Sequence, residues 1–267
     1  DKQMKEKDEQ MKEKDGRIAE LTHELAAEKS KTTQFVLRQH GVIFVDKHGN
    51  ECLKDEAYLG KGVSASTYRV KSLDDGQLYA LKMVSLEGLV QSTVDEMLRE
   101  ADFLFNLEAG HHIIRYFARF QMTIDSNNYL AIKMEYAQGG SLAAKIKSDA
   151  YQAGAFDEAR EAQVLAWLEQ IADAFHYLHG NGKLHRDIHP GNILLTADGK
   201  VRLADFGLSK ELSASASKMS TVMASQYASK EKAMNGLKYD GRDDCWGLGI
   251  VLSELVTKTL LSQRIGK

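Results

Sequence analysis

Two hydrophobic periods divide the chain. In residues 1–31, Met4, Met11, Ile18 and Leu25 recur every seven positions, the spacing of one core position of a coiled coil. The companion position holds Lys7, Lys14, Leu21 and Glu28, so only half of that seam is apolar. Asp1–Lys7 is nearly repeated at Asp8–Lys14, which strengthens the helical period. Residues 1–31 are therefore expected to form a charged, heptad-like helix, either solvated or self-associated as a coiled coil, with a linker near Ser30–Thr33. From Phe35 the pattern becomes globular. Val42–Val45 and Glu51–Lys54 read as short strands around the turn Lys47-His48-Gly49-Asn50, so residues 32–56 are expected to be linker and β-hairpin. Leu78–Val84 and Tyr129–Met134 also read as strands, while Val94, Met97, Leu98, Ala101, Leu104 and Phe105 follow helical spacing. Val164, Leu168, Ile171, Phe175 and Leu178 mark one face of a long helix that ends at Gly180-Asn181-Gly182, a glycine stop. A strand-rich first half and a helical second half predict an α+β fold.

Composition narrows the function classes. Thirty-five Lys and Arg against 38 Asp and Glu leave a net charge of −3, which disfavours nucleic acid or an anionic membrane as a partner. The apolar run near Leu248–Val256 contains Ser253 and Glu254 and is too short to span a bilayer. Cys52 and Cys245 are the only cysteines, which argues against a disulfide framework or a cysteine-rich metal site and fits a reducing intracellular compartment, taken as cytoplasmic. The single proline stands where ordinary usage would give about thirteen. That residue, Pro190, lies inside the most informative stretch of the chain.

Leu59-Gly60-Lys61-Gly62 precedes Tyr68-Arg69-Val70, and glycines so spaced let backbone approach phosphate oxygens closely, although an ordinary glycine-bearing hairpin has the same spelling. Tyr79-Ala80-Leu81-Lys82 then places a lysine on a strand, and Glu100 follows on an amphipathic helix. A carboxylate there can hold the ammonium toward phosphate; two solvated surface charges are the plainer alternative. The strongest signal is His185-Arg186-Asp187-Ile188-His189-Pro190-Gly191-Asn192, followed by Asp205-Phe206-Gly207 after the strand pair Ile193–Leu195 and Lys200–Leu203. Asp187 can accept the proton of an attacking hydroxyl, while Asn192 and Asp205 offer oxygen ligands to Mg²⁺.

Together these motifs resemble the protein kinase family, from about Ala57 to Lys267. The resemblance implies a two-lobed fold with a small β-rich N-lobe at about 57–137 and a helical C-lobe over 138–267. It implies an ATP- and Mg²⁺-dependent enzyme acting on Ser/Thr hydroxyls of protein substrates. By that pattern Leu59, Gly60, Lys61 and Gly62 cover the ATP phosphates, Lys82 reaches them and Glu100 orients Lys82. Asp187 is the catalytic base, Asn192 and Asp205 are the magnesium ligands, and Met134-Glu135-Tyr136-Ala137 is gatekeeper and hinge. Ala80 and Leu194 sandwich adenine. Leu104, Tyr116, His185 and Phe206 resemble the stack that aligns the lobes, and Asp244 the residue that anchors the catalytic-loop backbone. Ser209, Ser213, Ser215, Ser217, Ser220, Thr221 and Ser225 occupy the activation loop, where a phosphate could pair with Arg186.

The pattern is broken in places. Ala65 replaces the third glycine of the phosphate loop, Ser64 its aromatic tip and Thr67 the valine that caps adenine. His189 stands where Ser/Thr kinases carry lysine, so a permanent cation becomes a group titrating near pH 6.5. The threonine partner of that lysine is Ala224, Ser229-Lys230-Glu231 replaces Ala-Pro-Glu, and Gly191 removes an acidic residue that some relatives use to read basic substrates. A tyrosine-kinase reading fits the catalytic loop less well. The chain stops soon after the segment of Trp246, so the later helices of the large lobe are expected to be absent and Ile250, Leu252, Leu255 and Leu260 exposed. These departures motivate an alternative, a pseudokinase-like nucleotide-binding scaffold. A small-molecule phosphotransferase of related fold is the remaining one.

Overall fold

The computed structural model describes residues 2–62, 65–108, 110–205 and 241–259, which gather into two compact units. The first takes residues 1–61, 65–87 and 120–132; the second takes 62–64, 88–119 and 133–267.

The first unit opens with one unbroken helix, α1 (Lys2–Gln39). Its last turns are anchored on the face of Ser30, Thr33 and Leu37, which are 8%, 3% and 0% exposed. Ser30 Oγ accepts the Lys54 N–H at 2.9 Å, and Gln34 Oε1 accepts that of Phe44 at 2.9 Å. Arg38 donates to Glu51 Oε1 at 2.6 Å. The linker expected near Ser30–Thr33 is therefore helix instead: the two hydroxyl residues sit on the buried face, and Thr33 Oγ1 donates to the Lys29 carbonyl at 2.9 Å. Gly41, with φ 72°, ends the helix in the left-handed conformation that suits glycine.

The sheet contains β1 (Val42–Phe44), β2 (Tyr58–Lys61), β3 (Ala65–Ser72), β4 (Leu78–Ser85), β5 (Tyr116–Ile124) and β6 (Asn127–Glu135) in the order β1-β3-β4-β6-β5, with β2 beside β3. Tyr68, Val70 and Ser72 alternate inward along β3, whereas Ala80–Val84 of β4 are buried without alternation, the mark of a central strand covered on both faces. Leu37, Phe44, Val70, Leu81, Met83, Met122 and Ile124 form the core. Asp125 and Ser126 carry φ of 49° and 66° and join β5 to β6 as a two-residue turn of the type that matches strand twist.

The expected hairpin at 42–54 forms only in part. Asp46 Oδ1 accepts the N–H groups of His48 and Asn50 at 2.8 and 2.9 Å, so the turn is there. Its first strand, however, pairs with β3 at Val42↔Ser72 and Phe44↔Val70, and Val45↔Glu51 is a single bridge. The sheet thus begins upstream of the N-lobe start placed near Ala57. The helix α2 (Gln91–Phe105), expected within the N-lobe, groups with the second unit.

That unit contains α3 (Leu142–Lys147), α4 (Asp149–Ala153), α5 (Glu158–Gly180) and α6 (Gly241–Thr257), with a small sheet of β7 (Gly140–Ser141), β8 (Ile193–Leu195) and β9 (Val201–Leu203). Asp157 caps α5 by accepting the Arg160 N–H at 2.9 Å, and glutamates in the first turn complement the helix dipole. Val164, Trp167, Ile171, Ala174, Phe175 and Leu178 bury its inner face. The apolar face of α6 is not left open at Leu255. That residue and Val251 are fully buried, and Tyr151 of α4 donates to the Leu255 carbonyl at 3.0 Å, tying the two elements together. Ile250 and Leu252 are half-buried, and Leu260 lies outside the described residues. Among those residues no helix is long and apolar enough to cross a membrane.

Candidate active site

In the second unit the site is built on one hairpin and one buried carboxylate. β8 and β9 pair at Ile193↔Leu203 and Leu195↔Val201, and the Ala204 N–H donates to the Asn192 carbonyl at 2.9 Å. The antiparallel register therefore delivers Asn192 and Asp205 to the same end of the hairpin. Asp205 and Arg186 hold φ of 63° and 67°, a region that costs a residue with a side chain about 1–3 kcal/mol.

Asp244 holds the loop in that shape. It is 0% exposed and accepts the His185 N–H at 2.9 Å, the Arg186 N–H at 2.8 Å and His179 Nε2 at 2.9 Å. Gly247 lets α6 come this close, since a Cβ there would lie 3.0 Å from Ile188 Cβ and 3.1 Å from its carbonyl oxygen. His185, also fully buried, donates from Nε2 to the Ala204 carbonyl at 3.0 Å and accepts the Asp187 N–H at Nδ1 at 3.3 Å. Burial drives its pKa down against the pull of Asp244 and Asp187, so the ring is neutral. Leu104 and Tyr116 are buried as well. Burial, then the carboxylates of Asp205 and Glu100, hold the Tyr116 phenol protonated well above its usual range. Phe206, the activation-loop hydroxyls, Ala224 and Ser229-Lys230-Glu231 lie outside the described residues, as does Ser64.

Asp187 faces Asn192 and His189. Asn192 Nδ2 donates at 3.0 Å both to the Asp187 carbonyl and to its Oδ2, which turns the Asn192 amide oxygen away from Asp187. His189 Nε2 lies 3.7 Å from the same Oδ2. Burial pushes the Asp187 pKa up, but His189, His185 and Asn192 together outweigh it, and the carboxyl stays below its ordinary range. The Gly191 N–H donates to His189 Nδ1 at 3.0 Å. A nitrogen that accepts carries no proton, so the ring proton is on Nε2, toward Asp187, and the imidazole is not the fixed cation that a lysine would supply.

The remaining candidates lie in two groups. In the first unit Lys82 is 7% exposed and Ala80 5%, and Thr67 sits opposite both Lys82 and Gly60. Lys61 pairs with Ser66, and the β2–β3 register shifts between Tyr58 and Gly60, beside the partly exposed Leu59. Among the described residues a Cβ at Gly60 would meet no atom within 4 Å, so their packing does not demand glycine there. In the second unit Gly62 is exposed and Glu100 of α2 half-buried. Met134 and Ala137 are buried, and Leu194 is half-buried opposite Arg202. The Glu135 N–H donates to the Arg115 carbonyl at 2.8 Å, and its carboxylate receives Arg202 Nε at 3.0 and 3.2 Å. Sequence reasoning missed Arg202 and His179. Nothing in the spelling marks Arg202, whereas His179 in the last turn of α5 is a basic residue where a helix favours one.

The Asn192 amide oxygen and the Asp205 carboxylate are hard oxygen donors at one end of a hairpin, a set that suits Mg²⁺. The protein kinase domain family matches residues 53–267. The serine/threonine-protein kinase ppk11 of Schizosaccharomyces pombe is 34% identical over 204 residues, covering 76% of this chain and 61% of that protein. Serine/threonine-protein kinase Nek1 of Mus musculus is 33% identical over 74% of the chain and 16% of its own length. MAP3K epsilon protein kinase 1 of Arabidopsis thaliana is 32% identical over 74% of the chain and 14% of its length. The chain thus spans less than two thirds of each of these relatives.

Proposed function

The chain belongs to the protein kinase family, and on that premise we propose that it transfers the γ-phosphoryl group of ATP to Ser/Thr hydroxyls of protein substrates. The observation that carries this reading is the state of Asp187: ionised, with Oδ2 bound by Asn192 and approached by His189. In this reading Asp187 accepts the substrate hydroxyl proton as that oxygen bonds to the γ-phosphorus; the bond from phosphorus to the bridging oxygen breaks and ADP leaves. Asn192 and Asp205 would hold Mg²⁺, whose charge offsets that of the triphosphate. Asp244 and His185 keep the backbone of residues 185–187 fixed, so positioning rather than covalent chemistry carries the rate. Leu59, Gly60, Lys61, Gly62, Thr67, Ala80, Lys82, Glu100, Met134, Glu135, Ala137 and Leu194 keep the nucleotide-binding roles that the resemblance gives them.

The test is transfer from labelled ATP with Mg²⁺ to a generic basic protein, with Asp205→Ala as control. Loss of about 10³-fold or more in the control is expected; undiminished transfer would overturn the proposal. A folded, nucleotide-binding but silent chain would favour the scaffold reading, to which His189 in the place of lysine already points.

We further propose self-association through α1. Met11, Ile18 and Leu25, in heptad register with Leu21, are 53–63% exposed on an unbroken helix, the arrangement of a coil seam. Free thiols at Cys52 and Cys245 support a reducing compartment.

A further inference from the structure

His189 and Gly191 alternate in the loop between Asp187 and Asn192, and they are fitted to each other. A Cβ at position 191 would fall 2.7 Å from His189 Cε1 and 2.9 Å from Nδ1, closer than side chains approach, so the ring folds back only over a glycine. The same residue supplies the N–H that occupies Nδ1 at 3.0 Å. One residue thus provides both the space and the bond, and the bond decides which ring nitrogen keeps its proton. That proton faces Asp187 Oδ2 across 3.7 Å, longer than a formed hydrogen bond and within reach of a small swing of the ring.

Asp187 is engaged unequally. Oδ2 takes the Asn192 amide at 3.0 Å and faces His189. Among the described residues Oδ1 accepts no hydrogen bond. Rotation about Cβ–Cγ would exchange the two oxygens, and the Asn192 bond to Oδ2 opposes that rotation.

We propose that His189 and Gly191 act as one device: Gly191 fixes the place and tautomer of the imidazole, and His189, as a positioning residue, directs Oδ1 of Asp187 to the substrate hydroxyl through its Nε2–H. The device needs no charge on His189 and makes Gly191 a requirement of the histidine rather than a neutral loop residue. It deepens the kinase reading and rests on it.

Long-range ¹H–¹⁵N spectra of the labelled chain, with His189 assigned by the His189→Gln variant, read the tautomer directly. A protonated Nε2 and a bare Nδ1 are expected; a proton on Nδ1 overturns the proposal. In kinetics, Gly191→Ala should lower kcat about 10- to 100-fold through misplacement of Asp187, with little change in KM for ATP. Added to His189→Ala, the same substitution should cost less than about twofold more, because the group it displaces is already gone. Equal losses in the two backgrounds overturn the coupling. If Gly191→Ala unfolds the chain, melting of the double variant decides: recovery toward the midpoint of His189→Ala supports the device, and an undiminished loss overturns it. A wild-type chain that transfers no phosphate defeats the functional reading and with it the role toward Asp187, while the tautomer spectrum still settles the fit of the ring over Gly191.

Discussion

Replacing Asp244 by alanine removes one fully buried side chain but strands the backbone of residues 185 and 186. The carboxylate accepts the His185 and Arg186 N–H groups at 2.9 and 2.8 Å and His179 at 2.9 Å. Each buried donor left unsatisfied costs about 1–3 kcal/mol, so the two amides alone give roughly 2–6 kcal/mol. Relaxation of Arg186 out of its left-handed φ of 67° returns about 1 kcal/mol or more. A net loss of about 1–5 kcal/mol is expected, a sizeable part of the 5–15 kcal/mol that holds a typical domain together. Asp244→Asn keeps one acceptor oxygen but turns an NH₂ toward one donor, so its loss should be intermediate. Amide hydrogen exchange reads the effect at its source. The Arg186 amide should exchange at least about fivefold faster in Asp244→Ala, since every 1.4 kcal/mol is a factor of ten, with a smaller change in Asp244→Asn. Unchanged protection of Arg186 would show that the loop holds its shape without Asp244 and would refute the reasoning.

The neutral, buried His185 makes stability depend on pH. Its folded pKa lies below the unfolded value near 6.5, so its contribution is complete above that value and is lost as pH falls below it, at up to about 1.4 kcal/mol per pH unit. Unfolding at pH 7.5 and 5.5 should show the wild type losing more stability than His185→Gln, which keeps a donor for Ala204; parallel losses would count against the assignment. Along α1, Leu37→Ala should cost about 2–5 kcal/mol because its site is wholly buried. Leu25→Ala should change monomer stability by less than about 0.5 kcal/mol yet weaken any concentration-dependent rise in mass seen by light scattering. Equal stability costs would contradict the anchoring, and a mass indifferent to both concentration and Leu25 would exclude the coil.

The candidate site was more legible in sequence than its supports. Asp187, Asn192 and Asp205 stand out in sequence because phosphoryl transfer needs those residue types, and the strand pair between them sets the register that brings two of them to one hairpin end. The α1 boundary was misread because Ser30 and Thr33 are loop-like residues. Their burial and the Lys54 N–H that Ser30 accepts from 24 residues away are tertiary features that their residue type does not signal. Val42–Phe44 reads correctly as a strand, but its partner is β3 and not its neighbour in sequence, a long-range choice that local alternation cannot express. Leu255, expected to be exposed, is instead fully buried, and its carbonyl is bonded by Tyr151, more than a hundred residues away, a contact that local sequence cannot express. In sequence His189 reads as a titratable group in the place of a lysine, paired with Ala224 in the place of its threonine partner. A Cβ at Gly191, two residues later, would fall 2.7 Å from that ring, a packing relation that titration does not express.

The two left-handed residues explain why so much buried polarity is spent on so short a loop. Arg186 and Asp205, with φ of 67° and 63°, flank Asp187 and the end of the β8–β9 hairpin, and together their strain costs about 2–6 kcal/mol. An isolated loop would relax. Here Asp244 binds the Arg186 amide, and the Ala204 carbonyl, one residue before Asp205, receives His185 Nε2 at 3.0 Å. His185 in turn takes the Asp187 N–H at Nδ1 at 3.3 Å, so a single neutral ring ties the loop of Asp187 to the segment carrying Asp205. A protonated His185 would lose the bond at Nδ1, which couples the ring's protonation to the geometry of both carboxylates. The strain persists because the surrounding bonds over-determine it, and it fixes Asp187 and Asp205 before any substrate arrives, so binding need not pay the cost of ordering them.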